Sequence, residues 1–285
     1  MEIIKPYAEI WRQENPIAHV ARCARVCYAS NRNDKNQELY DRLFKSGHYS
    51  MFRHQSKYYI APFKDYRLEK LKPYEKCPYI DYVVYDDDEI YIATNAQFVM
   101  DNPDFTYFSE WEVTPEEFNS CEIGHKLMRW TVKVITQIST SRELNRVSPN
   151  NISEQSTRYV NFERQGGAIC QPHWITDENV DDWKKKIGGN IITKYLDACD
   201  AAFVDYEWLV SNCIKPQDAR GVLPLDTATT CIYTYSVKEW TEIINKRVHQ
   251  ITGPAHPNAV IVCDLVKELL EQEGYEFPNP KEEKN

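Results

Sequence analysis

Apolar residues recur at helical spacing in several parts of the chain. Near the N terminus, Leu39 and Leu43 share one face of a predicted helix that Gly47 can end. Near the C terminus, Pro257 suits the first turn of a helix and Gly274 suits its end. Together these patterns predict helices over residues 17–27, 36–46, 197–213, 238–251 and 257–274.

Other stretches show the two-residue period of β-strands. Residues 58–62 look extended, and strands at 82–85 and 90–94 flank the acidic residues 86–89 as in a hairpin. The stretch from 128 to 134 alternates apolar and polar residues, as a half-buried strand does. Because helices and strands are mixed rather than strictly alternating, we expect an α+β or irregular α/β domain.

The composition limits the possible roles of the chain. With 285 residues, 42% of them hydrophobic, and no linker or repeat, we expect one domain over residues 1–285 with a disordered tail at 281–285. The 34 basic and 43 acidic residues give a net charge of −9, which argues against nucleic acid as a partner. The chain has neither a secretion signal nor an apolar run near the roughly 20 residues that cross a bilayer. We therefore expect no membrane partner and a location in the cytoplasm, or the host cytoplasm for a viral protein.

The potential metal ligands do not have the spacing of a metal site. None of the nine cysteines forms a C-x-x-C pair, so we interpret them as reduced and mostly buried thiols. Cys23 and Cys27 lie four residues apart, as on one helix face against a core, and Cys170 is interpreted as a core or interface thiol. His173 is interpreted as structural, and residues 86–89 as a solvated turn. We expect no metal.

The segment from Arg142 to Tyr159 carries the richest chemistry in the chain. It places hydroxyls and several guanidinium groups in a stretch that looks like a loop. Such a loop can direct backbone N–H groups, hydroxyls and a planar arginine fork at one phosphate. On residue types alone, a surface loop whose arginines pair with nearby carboxylates is an equally good interpretation.

The same segment resembles the signature of the flavin-dependent thymidylate synthases, in which an Arg-His-Arg triplet is followed by seven residues and a serine. Here the register is Arg146-Val147-Ser148, seven residues and Ser156, and residues 156–159 agree with the end of the motif. Further stretches resemble the family in the right order: residues 24–28, 47–54, 219–224, 239–240 with Arg247, and 255–257. The resemblance spans nearly the whole chain, with residues about 64–124 as an insertion.

This resemblance implies a fold and a reaction. The fold would be a mixed sheet flanked by helices, with an inserted hairpin region. The protein would be a homotetramer whose active sites lie at subunit junctions. The leading function is reductive methylation of dUMP to dTMP at C5 of the pyrimidine, with methylenetetrahydrofolate as carbon donor, FAD as cofactor and NADPH as reductant.

The resemblance also implies roles for individual residues. Arg158 and Arg220 suit phosphate recognition because a guanidinium offers a bidentate fork. Arg247 would stabilise negative charge at N3 and its neighbouring carbonyl, and we expect Arg247 and Ser156 to be catalytic. The implied nucleotide contacts are Glu143, Asn145, Arg146, Glu154, Ser156, Thr157, Arg158, Arg220 and Arg247. The implied flavin contacts are Ser30, Arg53, His54, Ser148, Glu154, Lys238 and Glu242.

The chain departs from the family mostly on the flavin side. Val147 and Ser148 replace a histidine and an arginine, Arg53 replaces a glutamate, and Glu242 lies where many members have histidine. Losing one charge-assisted contact to a cofactor phosphate costs about 1.5–3 kcal/mol. We expect weaker FAD binding or new contacts, and Arg53 is a candidate to replace the charge lost at position 148.

The segment before the triplet also departs from the family, which leaves other functions open. Glu143 or the carbonyl of Asn145 can accept from the 4-amino group of cytosine. A second hypothesis is therefore a flavin-dependent hydroxymethyltransferase that makes 5-hydroxymethyl-dCMP or 5-hydroxymethyl-dUMP without net reductant. The third is a non-catalytic nucleotide-binding paralogue.

Overall fold

An antiparallel four-stranded sheet lies at the centre of the computed structural model. Its two long inner strands are β7 (Arg129–Gln137) and β10 (Ala228–Ser236). The short strand β2 (Tyr7–Ile10) pairs with β7, and β8 (Ile152–Glu154) pairs with β10. The structure describes residues 1–29, 33–147, 151–159, 161–162, 166–186 and 189–281.

Helices pack on both faces of this sheet. In chain order they are α1 (Pro16–Val26), α2 (Asn36–Lys45), α3 (Asp65–Leu71), α4 (Ala96–Asp101), α5 (Pro115–Phe118), α6 (Glu122–Leu127), α7 (Ile138–Leu144), α8 (Asp177–Lys184), α9 (Ile191–Ser211), α10 (Pro216–Ala219), α11 (Val237–Arg247) and α12 (Pro257–Gln272). Segments of 3₁₀ helix cover Asn33–Lys35, Tyr49–His54, Lys72–Tyr74, Pro103–Trp111 and Arg220–Val222.

The main core lies between the sheet and helices α11 and α12. Trp130, Val132 and Val134 of β7 point into it, which confirms the apolar positions predicted for this strand. The opposite face of β7 was expected to be exposed, and this is wrong for Arg129 and Thr131, which are buried. The reason is that α1 covers that face, where Cys23 packs against Ile232 of β10.

A second four-stranded antiparallel sheet has its own aromatic core. Its strands are β3 (Ser56–Pro62), β4 (Asp81–Tyr85), β5 (Glu89–Asn95) and β6 (Glu112–Val113), in the order β4-β5-β3-β6. The predicted hairpin is confirmed as β4 and β5, and its acidic turn is mostly exposed. Asp86 and Asp87 have φ of 49° and 55°, which aspartate tolerates in a tight hairpin turn.

The predicted helices are all present, with shifted ends. The helix predicted from residue 197 begins at Ile191, because Asn190 accepts a hydrogen bond from the Thr193 N–H as its N-cap. The helix predicted to reach residue 251 ends at Arg247. The last helix is followed by Gly274 with a φ of 96°, as its predicted end requires.

The α+β class is confirmed, because both four-stranded sheets are antiparallel and helices flank them. A two-stranded parallel pair, β1 (Glu2–Ile4) with β9 (Ala168–Cys170), ties the N terminus to the middle of the chain. No helix in the described ranges is long and apolar enough to cross a membrane. The single domain over residues 1–285 stays a prediction, and residues 282–285 of the expected tail lie outside the described residues.

Candidate active site

The segment that carries the signature is anchored to two elements of the core. After β8, the Gln155 N–H donates to the Thr230 carbonyl at 2.8 Å, and the Ser156 N–H donates to the Cys27 carbonyl at 3.1 Å. The Arg158 N–H then donates to Ser156 Oγ at 3.2 Å. The expectation of a loop from residue 142 to 159 is therefore only partly right, since α7 and β8 are regular elements.

The structure brings Arg220 to this segment from 63 positions away. Its Nη1 donates to Thr157 Oγ1 at 2.9 Å. Arg158 lies beside Thr157 in sequence, and its guanidinium carbon is 5.4 Å from the centre of the Tyr159 ring. Because both arginines are exposed, most of their N–H groups face solvent and can bind an anion.

Glu154 is held on the sheet surface by two hydroxyl groups. Its Oε1 accepts from Ser141 Oγ at 2.8 Å and from Thr229 Oγ1 at 3.2 Å. The thiol of Cys231 lies next to this carboxylate, and burial raises the pKa of Cys231 well above its ordinary value, with the charge of Glu154 adding to the effect. The carboxylate is thus fixed between α7 and β10.

Arg247 lies at the C-terminal end of α11 against the other side of α7. Its Nη2 donates to the backbone carbonyl of Glu143 at 2.7 Å, while Nη1 is 4.0 Å from Glu143 Oε2. Arg247 Nε is buried and has no hydrogen-bond partner among the described residues. Ser141 and Glu143 are two residues apart on a helix, so they point to nearly opposite sides of α7. Within one chain, α7 therefore separates Arg247 from Glu154.

The remaining nucleotide candidates lie at the end of α7. Asn145 Oδ1 accepts a hydrogen bond from the Tyr233 hydroxyl at 3.0 Å, so it is tied to the central sheet. Arg146 is exposed at the following position. The structure thus forms two groups of candidates, one around Thr157, Arg158 and Arg220 and one around Glu143 and Arg247.

The residues expected to hold the flavin do not form a cradle in the described part of the chain. His54 is fully buried, with Nδ1 2.8 Å from Thr234 Oγ1 and Nε2 3.0 Å from Ser153 Oγ, so flavin contact would require the chain to move. The Arg53 Nε donates to Gln97 Oε1 at 2.7 Å, and its guanidinium lies 4.9 Å from the Tyr79 ring centre.

The other flavin candidates add little to a cofactor site. Lys238 and Glu242 are exposed on α11, and Glu242 is paired with Lys246. Ser30 and Ser148 lie outside the described residues. The residues present fit a nucleotide better than they fit a flavin.

Several residues around the candidate site were missed by the sequence interpretation. Ser141 and Thr229 were not singled out, although they bind Glu154. Cys27 was interpreted as a core residue, but its thiol lies against Ser153 and the Glu154 N–H, and burial raises the pKa of the thiol. The signal available was the run of small hydroxyl residues in β10, where no strand was predicted.

The other thiols and potential ligands form no metal-binding cluster within the described residues. Cys170 is buried, as expected, and all nine cysteines are free. His173 bonds Asn258 through both its backbone N–H, at 2.8 Å, and its ring. In the described ranges, no group of three or more histidine, cysteine, aspartate or glutamate residues could hold a metal ion.

A comparison with known protein families shows which family the chain belongs to. Residues 126–273, more than half of the chain, match the family described as Thymidylate synthase complementing protein. The chain belongs to this family, the flavin-dependent thymidylate synthases. Membership makes the chain a thymidylate synthase-like enzyme that acts at C5 of a pyrimidine nucleotide. The matched range includes Glu154, Arg158, Arg220 and Arg247.

Comparisons with individual proteins are weaker. No curated protein sequence matches the chain. Among solved structures, a UMP/dUMP methylase PolB from Streptomyces cacaoi bound with 5-Br dUMP is 15% identical, covers 98% of this chain and 100% of its own, and has a TM-score of 0.46. The same protein bound with 5-Br UMP is 17% identical over 95% and 92% of the two chains, at 0.45. Thymidylate synthase X from Helicobacter pylori with FAD and dUMP is 14% identical over 51% and 68%, at 0.38. The assignment rests on the family match alone.

Proposed function

We propose that the enzyme transfers a one-carbon unit from methylenetetrahydrofolate to C5 of a pyrimidine deoxynucleoside monophosphate. The leading reaction is reductive methylation of dUMP to dTMP, with FAD and NADPH supplying the reducing equivalents. The observation that supports this most directly is the hydrogen bond from Arg220 to Thr157, which brings one exposed arginine to the residue next to a second exposed arginine, Arg158.

The nucleotide phosphate would bind to Arg158 and Arg220. Each guanidinium can donate two parallel hydrogen bonds to phosphate oxygens. The hydroxyl of Ser156 already accepts the Arg158 N–H, so the short turn is ordered before the ligand arrives. An ordered site loses less conformational entropy on binding.

The pyrimidine ring would lie at Arg247. The side chain is only 16% exposed, and the Glu143 carbonyl fixes one of its terminal nitrogens. The buried Nε, without a partner among the described residues, costs about 1–3 kcal/mol if it stays unpaired. As electron density moves from N3 toward C5, the fixed cation stabilises the developing charge, which is a large term in catalysis.

Helix α7 separates Arg247 from Glu154, which leads into the segment carrying Arg158, and this separation supports active sites shared between subunits of a homotetramer. One chain would supply Arg158 and Arg220, and another would supply Arg247. Complementation tests this arrangement, because Arg220→Ala and Arg247→Ala chains are each expected to be inactive. Mixed oligomers should regain activity when the two arginines act from different chains, whereas no recovery would refute shared sites.

One observation favours a second candidate, the transfer of a hydroxymethyl group to dCMP. The Glu143 carboxylate lies 4.0 Å from Arg247, where it could accept a hydrogen bond from a cytosine 4-amino group. With uracil, the same carboxylate would face a carbonyl oxygen and gain no hydrogen bond from the base. Base preference therefore depends on Glu143.

One assay distinguishes the candidates. Purified enzyme is incubated with dUMP or dCMP, methylenetetrahydrofolate and FAD, with and without NADPH, and the product nucleotide is analysed by mass spectrometry. A methyl mass gain on dUMP that requires NADPH supports the leading proposal. A hydroxymethyl gain on dCMP without NADPH supports the second, and no gain with either nucleotide contradicts both.

A further inference from the structure

A buried series of hydrogen bonds connects helix α1 with strand β8. His19 Nε2 lies 3.1 Å from Thr131 Oγ1, which lies 2.7 Å from Thr234 Oγ1. The Thr234 hydroxyl is 2.8 Å from His54 Nδ1, and His54 Nε2 is 3.0 Å from Ser153 Oγ. All five side chains are buried. We call this series the His19–Ser153 relay.

The direction of the hydrogen bonds follows from the β8 end of the relay. Ser153 Oγ lies 3.0 Å from His54 Nε2 and 3.3 Å from the Met51 sulfur, and an imidazole nitrogen is the stronger acceptor. Ser153 therefore donates to Nε2, and the neutral His54 ring carries its hydrogen on Nδ1. Each hydroxyl has one hydrogen, so the remaining donors follow in order: His54 Nδ1 to Thr234, Thr234 to Thr131, and Thr131 to His19 Nε2.

The surroundings keep both rings neutral. Burial lowers the pKa of His19 to about 4, and the charge of Arg22 adds to the effect. Burial lowers the pKa of His54 to about 3, with further contributions from His19, Arg129 and Arg53. Conducting protons along the relay would place charge on these rings. The relay is therefore a fixed set of donors and acceptors rather than a proton path.

The β8 end of the relay lies directly beside the candidate site. β8 is a three-residue strand, and its register places Ser153 opposite Ile232 and Glu154 opposite Cys231 of β10. Successive strand residues point to opposite faces, so Ser153 faces His54 while Glu154 faces α7. The Met51 sulfur, 3.3 Å from Ser153 Oγ, is a weaker acceptor than an imidazole nitrogen.

We propose that His54 is a positioning residue. In its Nδ1–H form it accepts the hydroxyl hydrogen of Ser153, and it thereby fixes the short strand β8 and the segment from Glu154 to Arg158. The effect of His54 on nucleotide binding rests on the proposed function of that segment. The position of the hydrogen on the His54 ring is independent of that function.

The ring form is tested by NMR on the full chain labelled with ¹⁵N at histidine. Correlations between ring carbon-bound protons and ring nitrogens distinguish the two neutral forms. We expect His19 and His54 to be neutral with the hydrogen on Nδ1 at pH 7. A hydrogen on His54 Nε2, or a charged His54 ring at that pH, would overturn the proposal.

The positioning role is tested by a double-mutant cycle on dUMP affinity with Ser153→Ala and His54→Phe. We expect each single variant to weaken binding by about tenfold and the double variant to weaken it no further, because His54 acts through Ser153. Additive losses, or an unchanged affinity in Ser153→Ala, would refute the role. The small Ser153→Ala change remains informative if His54→Phe does not fold.

A matched control is His125→Phe, since His125 is half-buried, bonded to Asn119 at 2.8 Å and stacked on Tyr275 outside the relay. Its dUMP affinity should equal that of the wild type. If the wild type binds no dUMP, the proposed function fails, and the NMR experiment still decides the form of the His54 ring.

Discussion

Replacement of Arg220 by alanine tests the proposed phosphate site most directly. The structure gives this side chain one hydrogen bond, to Thr157 Oγ1, between groups that are not buried. Such a bond contributes about 0.5–1.5 kcal/mol to the free energy of unfolding. Substitutions at exposed positions usually lower this free energy less than substitutions in the core do. The folded protein should therefore survive the change. A lost charge-assisted contact to a phosphate costs about 1.5–3 kcal/mol, equivalent to about tenfold to 150-fold in affinity.

The assay is calorimetric titration of dUMP and of deoxyuridine, which lacks the phosphate. Arg220→Ala should weaken dUMP binding by that factor and leave deoxyuridine binding unchanged. Arg220→Lys should recover part of the loss, since lysine keeps the charge but lacks the planar fork. The control is Arg42→Ala, which removes an exposed arginine from α2, outside the candidate site.

Three results would refute the reasoning. Equal losses for dUMP and deoxyuridine would mean that Arg220 acts on the base or on folding rather than on the phosphate. Unchanged dUMP affinity would remove Arg220 from the site. An equal loss in Arg42→Ala would indicate a general effect of net charge.

Three further predictions concern catalysis, pH and packing. Arg247→Lys should lower kcat by about 100-fold to 1000-fold with a smaller change in KM, measured by steady-state kinetics, because one ammonium cannot bind the Glu143 carbonyl and stabilise the ring together. His19 and His54 have lowered pKa values of about 4 and about 3, so the unfolded chain binds more protons below about pH 6.5. The free energy of unfolding in urea should therefore fall by up to about 1.4 kcal/mol per pH unit for each ring as the pH drops from 6 to 4. If the free energy of unfolding of His54→Gln changed with pH as steeply as that of the wild type, this reasoning would be contradicted. Leu270→Ala, at a fully buried position of α12, should cost about 2–5 kcal/mol in the same measurement, whereas Ile261→Ala, 39% exposed on that helix, should cost about 1 kcal/mol or less.

The elements that could be predicted from the sequence are those with a clear amphipathic pattern. α12 has Pro257 at its start and an apolar stripe, and its ends were predicted to within two residues of those observed. β10 was missed because it is buried on both faces and so lacks the alternation of a half-buried strand. β1 and β9 have three residues each and pair across more than 160 positions, so neither could be predicted from local pattern.

The residues of the candidate site could be proposed from the sequence, but their contacts could not. Arg158, Arg220 and Arg247 stood out because their motifs resemble a family, whereas no local pattern brings Arg220 to Thr157. The environment of Glu154 depends on β10 and α7 meeting beside it, which is a property of the fold. The sequence neighbours of His54, which place it among the cofactor candidates, do not reveal that the ring is fully buried.

The way in which Arg247 is held would let the enzyme change its base preference and keep the proposed catalytic charge. The guanidinium bonds the backbone carbonyl of Glu143 at 2.7 Å, whereas the carboxylate of the same residue is 4.0 Å away. A backbone carbonyl is present whatever side chain occupies position 143, so the orientation of Arg247 depends on the end of α7 and little on residue type. Position 143 is therefore free to vary toward acceptors or donors for the base. Residue 143 can therefore change while Arg247 keeps its orientation. The base would contact the side chain of residue 143, whereas Arg247 binds its backbone carbonyl.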